Sequence, residues 1–232
     1  SSPRVMDATR ALDLEEIPQR LLVIGGGYIG LELGQLYAGL GSQVTLVEML
    51  PDLLTWTDKD LVNILMRKVT KQFKGVLLET KVVDMEEGRN GISVRFEGPE
   101  SGSQPRLFDR VLVAVGRKPF TGGLGLDTTG VKLNNKGFVE VNAQRQTSVS
   151  TIYAVGDVVG DPLLAHKATH EAPVAVDAIL GKPAAFDPKA IPAVIYSDPE
   201  IAYCGLTEDE ANRTGRDVHV TRFPWGASGR AA

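Results

Sequence analysis

Three consecutive glycines follow directly on a short apolar run near the start of the chain. The run Leu21–Ile24 is typical of a buried parallel strand, and Gly25-Gly26-Gly27-Tyr28-Ile29-Gly30 comes next. Apolar positions then recur at helical spacing until Gly41, which favours a helix end, and Val44–Val47 has the character of a second strand. A strand, a helix and a strand within about thirty residues form a βαβ unit, so the sequence predicts an α/β fold with a parallel sheet.

The glycine spacing predicts a dinucleotide site, because G-x-G-x-x-G has this meaning when it lies between a strand and a helix. Gly25 allows the tight turn, Gly27 lets a pyrophosphate approach the backbone, and Gly30 lets the helix lie close to the strand. Gly34, one helical turn later, would extend that close packing. The free N–H groups of the first helical turn would then face the phosphates.

Glu48 follows the second strand, ~20 residues beyond the glycine turn, where a carboxylate can accept hydrogen bonds from the hydroxyls of an adenine ribose. A carboxylate at this position repels a 2′-phosphate. No Lys or Arg occurs between Met49 and Asp58 to neutralise one. We therefore expect NAD rather than NADP.

The remainder of the first half predicts one more helix and a small β insertion. Asp58 can cap a helix that runs to about Phe73. The alternation in Ile92–Phe96 and the Gly/Ser/Pro-rich stretch Gly98–Pro105 indicate a hairpin or small meander. The strands expected around it are Val76–Leu78, Lys81–Met85 and Val111–Val115.

The second half repeats a strand end made of a glycine and an acid. A strand at Thr151–Val155 would end at Gly156-Asp157, and an Ala/Val-rich helix would follow from about Ala165 to Leu180. After Pro188 we expect strands at Val194–Tyr196, Ile201–Cys204 and Val218–Phe223, with a capping box from Thr207 to Glu210. These last forty or so residues contain too little structure for a separate stable domain and look truncated.

Composition excludes several classes of partner. The net charge of -4 offers no basic field for nucleic acid, and no apolar run approaches the roughly 20 residues of a membrane helix. With no signal-peptide pattern at the N-terminus, we expect a cytoplasmic protein. One cysteine, Cys204, excludes an internal disulfide, and three histidines make a metal site improbable. Cys204 lies in an apolar strand and is interpreted as a packed thiol.

Four residues fit either a structural or a functional role when the sequence alone is considered. Glu32 gains energy from the helix dipole whether or not it has a function. Tyr28 could gate a nicotinamide pocket or cover apolar surface. Asp157 fits a turn or helix cap as well as a ligand contact, and His166 fits an ordinary surface histidine.

Five blocks of sequence resemble the pyridine nucleotide–disulfide oxidoreductases, and among them the dihydrolipoyl dehydrogenases. The three blocks shared across the wider family are Val23 to Glu32, Ala114-Val115-Gly116-Arg117-Lys118-Pro119 and Ile152-Tyr153-Ala154-Val155-Gly156-Asp157. Leu163-Leu164-Ala165-His166-Lys167-Ala168 and Asp198-Pro199-Glu200-Ile201-Ala202 are more particular to dihydrolipoyl dehydrogenases. The resemblance covers essentially the whole chain. Pro173 departs from the usual pattern and should kink or restart its helix.

The resemblance implies a division of the chain and two sets of cofactor contacts. It implies a linker at 1–18, a Rossmann-like NAD-binding domain with an inserted β-meander at 19–143, the C-terminal part of an FAD-binding domain at 144–189, and the start of an α+β interface domain at 190–232. NAD contacts would fall on Gly25, Gly26, Gly27, Tyr28, Ile29, Gly30, Leu31, Glu32, Glu48, Val82 and Gly116. FAD contacts would fall on Asp157, Leu163, Leu164, Ala165 and His166. Glu32 would pair with a lysine near the flavin, in a part of the family's chain that is absent here.

In the resembled enzymes, electrons pass from dihydrolipoamide to a Cys-x4-Cys disulfide and then through FAD to NAD, with a His-Glu pair as acid and base. This chain has neither pair, so we expect an internal fragment that carries no catalytic residue and is inactive alone. The resemblance further implies a homodimeric parent whose partner is the lipoyl domain of an acyltransferase. The alternatives are another flavoprotein disulfide oxidoreductase, such as a mercuric reductase-like enzyme, and a non-catalytic NAD-binding module.

Overall fold

A parallel sheet forms the centre of the first of two compact units in the computed structural model, which describes residues 2–99 and 101–229. This unit comprises the chain up to Val115 and the residues from Val194 onward. Its five strands have the order β1-β8-β2-β3-β4, and every neighbouring pair is parallel. The strands are β1 (Val5–Met6), β2 (Arg20–Ile24), β3 (Gln43–Val47), β4 (Gly75–Leu77) and β8 (Arg110–Val113). The predicted βαβ unit and parallel sheet are confirmed.

Both faces of this sheet are buried, which explains the unbroken apolar runs of its strands. Leu21 and Val23 of β2 lie in one core cluster, whereas Leu22 lies in another. Side chains alternate across a strand, so neighbouring residues of β2 enter the two cores in turn.

Three helices belong to the unit's first core: α1 (Ala8–Leu12), α2 (Tyr28–Gly39) and α3 (Lys59–Gln72). Helix α2 starts at the predicted residue, and Gly41 follows it with φ 105°. Helix α3 buries Val62, Leu65 and Val69, an i, i+3, i+7 stripe. Asp58 is its N-cap by position but makes no side-chain cap bond; its Oδ1 accepts from Glu208 N at 2.8 Å instead.

The inserted meander is confirmed as a three-stranded antiparallel sheet of order β5-β6-β7. Its strands are β5 (Lys81–Gly88), β6 (Gly91–Glu97) and β7 (Arg106–Phe108). Ile92, Val94 and Phe96 alternate with outward residues and pack in the second core cluster.

The second compact unit is Gly116–Ala193. It contains the helix α4 (Ala165–Ile179) and two short 3₁₀ turns, Leu126–Thr128 and Gly156–Val159. The expected strand at Thr151–Val155 is wrong, because this run makes only an isolated bridge between Tyr153 and Gln146. Helix α4 continues through Pro173, so of the expected kink or restart, the restart does not occur.

The last segment contains β9 (Pro192–Ile195), β10 (Ile201–Cys204) and α5 (Glu208–Thr214). Thr207 caps α5 by accepting from Glu210 N at 3.2 Å. The strand expected at Val218–Phe223 is wrong. That stretch has no regular structure, and Val218, Val220 and Phe223 are exposed.

The segment 1–18, interpreted above as a linker, carries β1 and α1, and Ala11 of α1 is fully buried. Among the residues that the structure describes, no helix has both the length and the apolarity needed to cross a membrane.

Candidate functional site

The predicted glycine turn packs as its spacing requires. Gly25 has φ 111°, and a Cβ there would lie 2.5 Å from Ala114 O. A Cβ on Gly30 would lie 2.1 Å from Gly25 O and 3.2 Å from Val23 Cγ1, so the helix rests directly on the turn. Two of the glycines are thus fixed by close backbone approach.

Gly27 differs from those two because no backbone atom crowds the position of a Cβ there. The nearest atom to a Cβ there would be Trp56 Cη2, at 3.4 Å. Gly27 is the N-cap of α2, makes no side-chain cap bond, and no acidic residue lies in the first turn. The N–H groups of that turn have no intrahelical partner, which leaves them available to an anion.

Glu48 lies beside this turn and binds it. Its Oε2 accepts from Gly26 N at 2.6 Å, and its Oε1 accepts from Leu50 N at 2.8 Å. The two bonds fix the carboxylate at the end of β3 while the residue stays partly exposed. A carboxylate has about four lone-pair sites, so roughly two remain for a ligand.

Tyr28 and Ile29 are partly buried and pack against the first core cluster, which also contains the fully buried Leu31. The Tyr28 side chain therefore covers apolar surface, and its expected contact with NAD stays a prediction. The Leu31 side chain lies in the core, so a ligand could contact this residue only through its backbone.

Glu32 has a partner that the sequence did not indicate. Its Oε1 accepts from Tyr196 N at 2.8 Å. Nearby on α2, the Gln35 amide binds both backbone polar groups of Asp198, each at 2.9 Å. One face of α2 thus anchors the chain between β9 and β10.

The other two expected NAD contacts lie in different units. Val82 is on β5 and packs against the second core cluster of the first unit. Gly116, in the second unit, has φ 131° and no atom within 4 Å of the place where a Cβ would be.

Asp157 lies in the second unit on the 3₁₀ turn that starts at Gly156, which has φ 86°. The Arg117 guanidinium lies 3.0 Å from its Oδ2, and both side chains are partly exposed. The carboxylate is therefore accessible.

The other expected FAD contacts surround the start of α4. Leu164 is its N-cap and makes no side-chain cap bond. Leu163 is partly buried and Ala165 is exposed. His166 is exposed, and its Nε2 lies 2.7 Å from Pro192 O.

Sequence reasoning missed a buried charge cluster beneath Gly156. Lys167 and Glu171 are 3% and 1% exposed, and Lys167 Nζ lies 3.1 Å from Glu171 Oε1. Arg145 Nη1 lies 3.0 Å from the same oxygen. The i, i+4 spacing of Lys167 and Glu171 was visible in the sequence, but it is more typical of a solvated helix face.

Cys204 corrects a prediction: it is a free thiol at the end of β10, and it is exposed rather than packed. In residues 2–99 and 101–229, no three His, Cys, Asp or Glu side chains are grouped so that they could hold a metal ion.

Comparison with known families assigns both ends of the chain. Residues 1–172 match the model of the pyridine nucleotide-disulphide oxidoreductases, and residues 191–232 match the dimerisation domain of the same family.

Curated relatives agree with this assignment. The chain is 49% identical to a dihydrolipoyl dehydrogenase of Thermus scotoductus over 98% of its own length and 50% of the relative's. It is 46% identical to the dihydrolipoyl dehydrogenase of Haemophilus influenzae over 99% of its own length and 48% of the relative's. The chain thus spans about half the length of the relatives it matches.

Solved structures share the mixed α/β fold. The flavoprotein disulfide reductase RclA from Escherichia coli matches with a TM-score of 0.88 at 29% identity, over 99% of this chain and 52% of its own. LpdA from Mycobacterium tuberculosis matches with a TM-score of 0.86 at 25% identity, over 99% and 49%.

Proposed function

This chain belongs to the pyridine nucleotide-disulphide oxidoreductase family, and on that premise we propose that it is the NAD-binding portion of a dihydrolipoyl dehydrogenase. The observation that carries the proposal is the Glu48 carboxylate, which two backbone N–H groups hold at the edge of the Gly25–Gly30 turn. The name shared by curated relatives at 44–49% identity supports the choice of enzyme within the family.

The residues of the first turn fit a dinucleotide. A Cβ on Gly27 would meet only the Trp56 ring and no backbone, and this accessible backbone and the uncapped start of α2 suit a pyrophosphate. The remaining lone pairs of Glu48 suit the ribose hydroxyls.

The same carboxylate favours NAD over NADP. Its negative charge repels a 2′-phosphate. Lys59, the first basic residue after Glu48, forms an ion pair with Asp52 at 3.1 Å and so is not free to neutralise that phosphate.

The residues around Gly156 fit part of a flavin site. Asp157 offers an accessible carboxylate for the ribityl chain, and the uncapped backbone at Leu164 and Ala165 suits negative charge on the ring. Bound FAD supplies the electron relay between a disulfide and NAD. The role of this chain in the proposed function is to bind and orient the two cofactors.

The activity of the whole protein is a further part of the proposal. It would oxidise dihydrolipoamide carried by the lipoyl domain of an acyltransferase, as a homodimer, and the dimerisation-domain match supports the last point. The chain contains a single cysteine, so it cannot form the redox disulfide itself and should be inactive alone. A cytoplasmic location stays a prediction.

A different flavoprotein disulfide reductase is the second candidate, supported by the close structural match to RclA. The identity to that protein is 29%, against 38–49% to the dihydrolipoyl dehydrogenases, and this difference favours the first candidate.

Calorimetric titration with NADH and NADPH tests the cofactor proposal. We expect NADH to bind at least about tenfold more tightly, which corresponds to about 1.4 kcal/mol. Glu48→Gln keeps the shape of the side chain but removes its charge, so the preference should fall several-fold. Asp177→Asn removes a partly exposed carboxylate that pairs with Lys182, outside the Gly25–Gly30 turn, and should leave the preference unchanged. Equal binding of NADH and NADPH by the unaltered chain would contradict the proposal.

A further inference from the structure

Lys167 and Glu171 form a buried ion pair one helical turn apart on α4, and both side chains contact the same residue. Lys167 Nζ donates to Gly156 O at 3.0 Å, and Glu171 Oε2 accepts from Gly156 N at 2.6 Å. The pair therefore binds both backbone polar groups of Gly156, the residue directly before Asp157.

Glu171 has no capacity left for a ligand. Its Oε2 accepts from Gly156 N and from Lys167 at 3.3 Å, and its Oε1 accepts from Lys167 and from Arg145. These four bonds use about all the lone pairs of a carboxylate. A group that is saturated and 1% exposed can position its neighbours but cannot react.

Arg145 completes the cluster and is itself held in place. Its guanidinium lies 4.9 Å from the centre of the Phe186 ring and 3.0 Å from Glu171 Oε1. Glu171 therefore keeps a cationic partner even when Lys167 is replaced, which makes a change at Lys167 mild enough for the fold to survive.

The held backbone lies next to an accessible side chain. Gly156 has the left-handed φ of 86°, and the Asp157 carboxylate is 40% exposed. Fixing the backbone at Gly156 limits the positions that the following carboxylate can reach, and a preorganised group loses less freedom when it binds a ligand.

We propose that Lys167 and Glu171 are positioning residues that hold the Gly156–Asp157 turn in the conformation that retains FAD. The inference rests on the proposed function, in which Asp157 contacts the flavin. It assigns the buried pair a role in flavin retention in addition to its role in stability.

The test compares two Lys→Met variants in the full-length holoprotein, one on α4 and one just beyond its C-terminal end. Lys167→Met removes the bond to Gly156 O, whereas Lys182→Met removes an exposed pair with Asp177, 2.9 Å in length. We expect FAD to dissociate about tenfold faster from the first variant, in line with the loss of one hydrogen bond to a charged group. The second should stay within twofold of the unaltered protein. Lys167→Arg keeps a cation and should restore part of the retention.

A second readout needs no flavin. In the present chain, exchange of the Gly156 amide hydrogen should accelerate about tenfold in Lys167→Met and stay unchanged in Lys182→Met. A purely structural pair would lower the melting temperature of Lys167→Met without changing FAD release well below that temperature, and this result would overturn the inference.

Asp157→Ala separates the two ideas. If it retains FAD as the unaltered protein does, the flavin role of Asp157 fails and the inference fails with it. If Asp157→Ala releases FAD faster but Lys167→Met does not, the flavin role stands and only the positioning role is refuted.

Discussion

Two glycine turns in this chain each have a backbone N–H held by a glutamate, and the two glutamates lie in opposite surroundings. Gly26 N donates to Glu48 and Gly156 N donates to Glu171, both over 2.6 Å. Glu48 comes from the neighbouring strand and stays partly exposed. Glu171 comes from the following helix, is 1% exposed, and contacts two cations.

The difference shows that a glutamate bound to a glycine turn can have either of two roles, ligand binding or fixing the turn. A carboxylate that binds the turn and still faces solvent keeps acceptor capacity for a ligand. A carboxylate that is buried and saturated by cations can only fix the turn. In the second turn the ligand-facing acid is a separate residue, Asp157.

Truncating each glutamate should give the largest contrast. Glu171→Ala leaves Lys167 and Arg145 as uncompensated charges in a buried place, and removing one partner of a buried pair costs about 3–5 kcal/mol. Glu48→Ala loses hydrogen bonds at a partly solvated site and should cost about 1–2 kcal/mol.

Hydrogen exchange resolves the two turns separately, through peptides that cover residues 150–180 and 20–50. Asp177→Ala, which breaks an exposed pair on the same helix as Glu171, is the control and should cost under about 1 kcal/mol. The contrast fails if Glu171→Ala is no more costly than this control.

Glycine substitutions should give the next largest effect, and they probe how the first turn is held. An alanine Cβ at Gly30 would lie 2.1 Å from the Gly25 carbonyl oxygen, so the turn must shift, at a cost of about 1–3 kcal/mol or more. At Gly27 the nearest atom would be 3.4 Å away, and stability should change by less than about 1 kcal/mol.

The affinity for NADH should fall in Gly27→Ala even though the stability of that variant is nearly unchanged. Gly27→Ala places a methyl group where the pyrophosphate would approach, so NADH binding should weaken although the fold is intact. Urea unfolding followed by tryptophan fluorescence, together with NADH titration, measures both. Equal stability of Gly30→Ala and Gly27→Ala would show that backbone contact does not hold this turn.

The two turns also differ in how far the sequence predicted them. The first is specified locally: the apolar run Leu21–Ile24, the spacing of Gly25 and Gly30, and the helix start at Tyr28 all lie within one short stretch. Their positions were predicted correctly, because each signal depends on near neighbours in the chain.

The second turn depends on partners that are distant in sequence. Burial of Lys167 and Glu171 requires Arg145 and Gly156, and no local pattern shows that they meet. The strand β1 was missed for a similar reason, since Val5 and Met6 pair with Val111 and Leu112, more than a hundred residues away. Thr151–Val155 makes only one bridge, and whether an apolar run becomes a strand depends on a pairing partner that local sequence does not specify.

A third carboxylate, that of Asp109, also accepts a hydrogen bond from a backbone N–H. Its effect on stability should be the smallest of the three, and it should depend on pH. Asp109 accepts from Arg20 N at 2.7 Å and pairs with the Arg20 side chain. The hydrogen bond from that side chain is the main reason why the pKa of Asp109 is lowered from its ordinary value of 3.8. Like Glu48, and unlike Glu171, it is partly exposed.

The folded state therefore binds the Asp109 proton less tightly than the unfolded state does. Its stabilising contribution is fully present above the ordinary carboxyl pKa near 4 and is lost as the pH falls through the lowered pKa of the folded state. Because the pair is partly solvated, the contribution should be under about 1 kcal/mol. Asp109→Asn should flatten the decline in urea midpoint as the pH falls from about 5.5 through the ordinary carboxyl pKa and below it, followed by tryptophan fluorescence. Asp84→Asn, which breaks the exposed pair with Arg95, should leave that decline as steep as in the unaltered chain. If Asp109→Asn and Asp84→Asn lose stability equally on acidification, a partly exposed carboxylate that binds backbone contributes nothing specific at low pH.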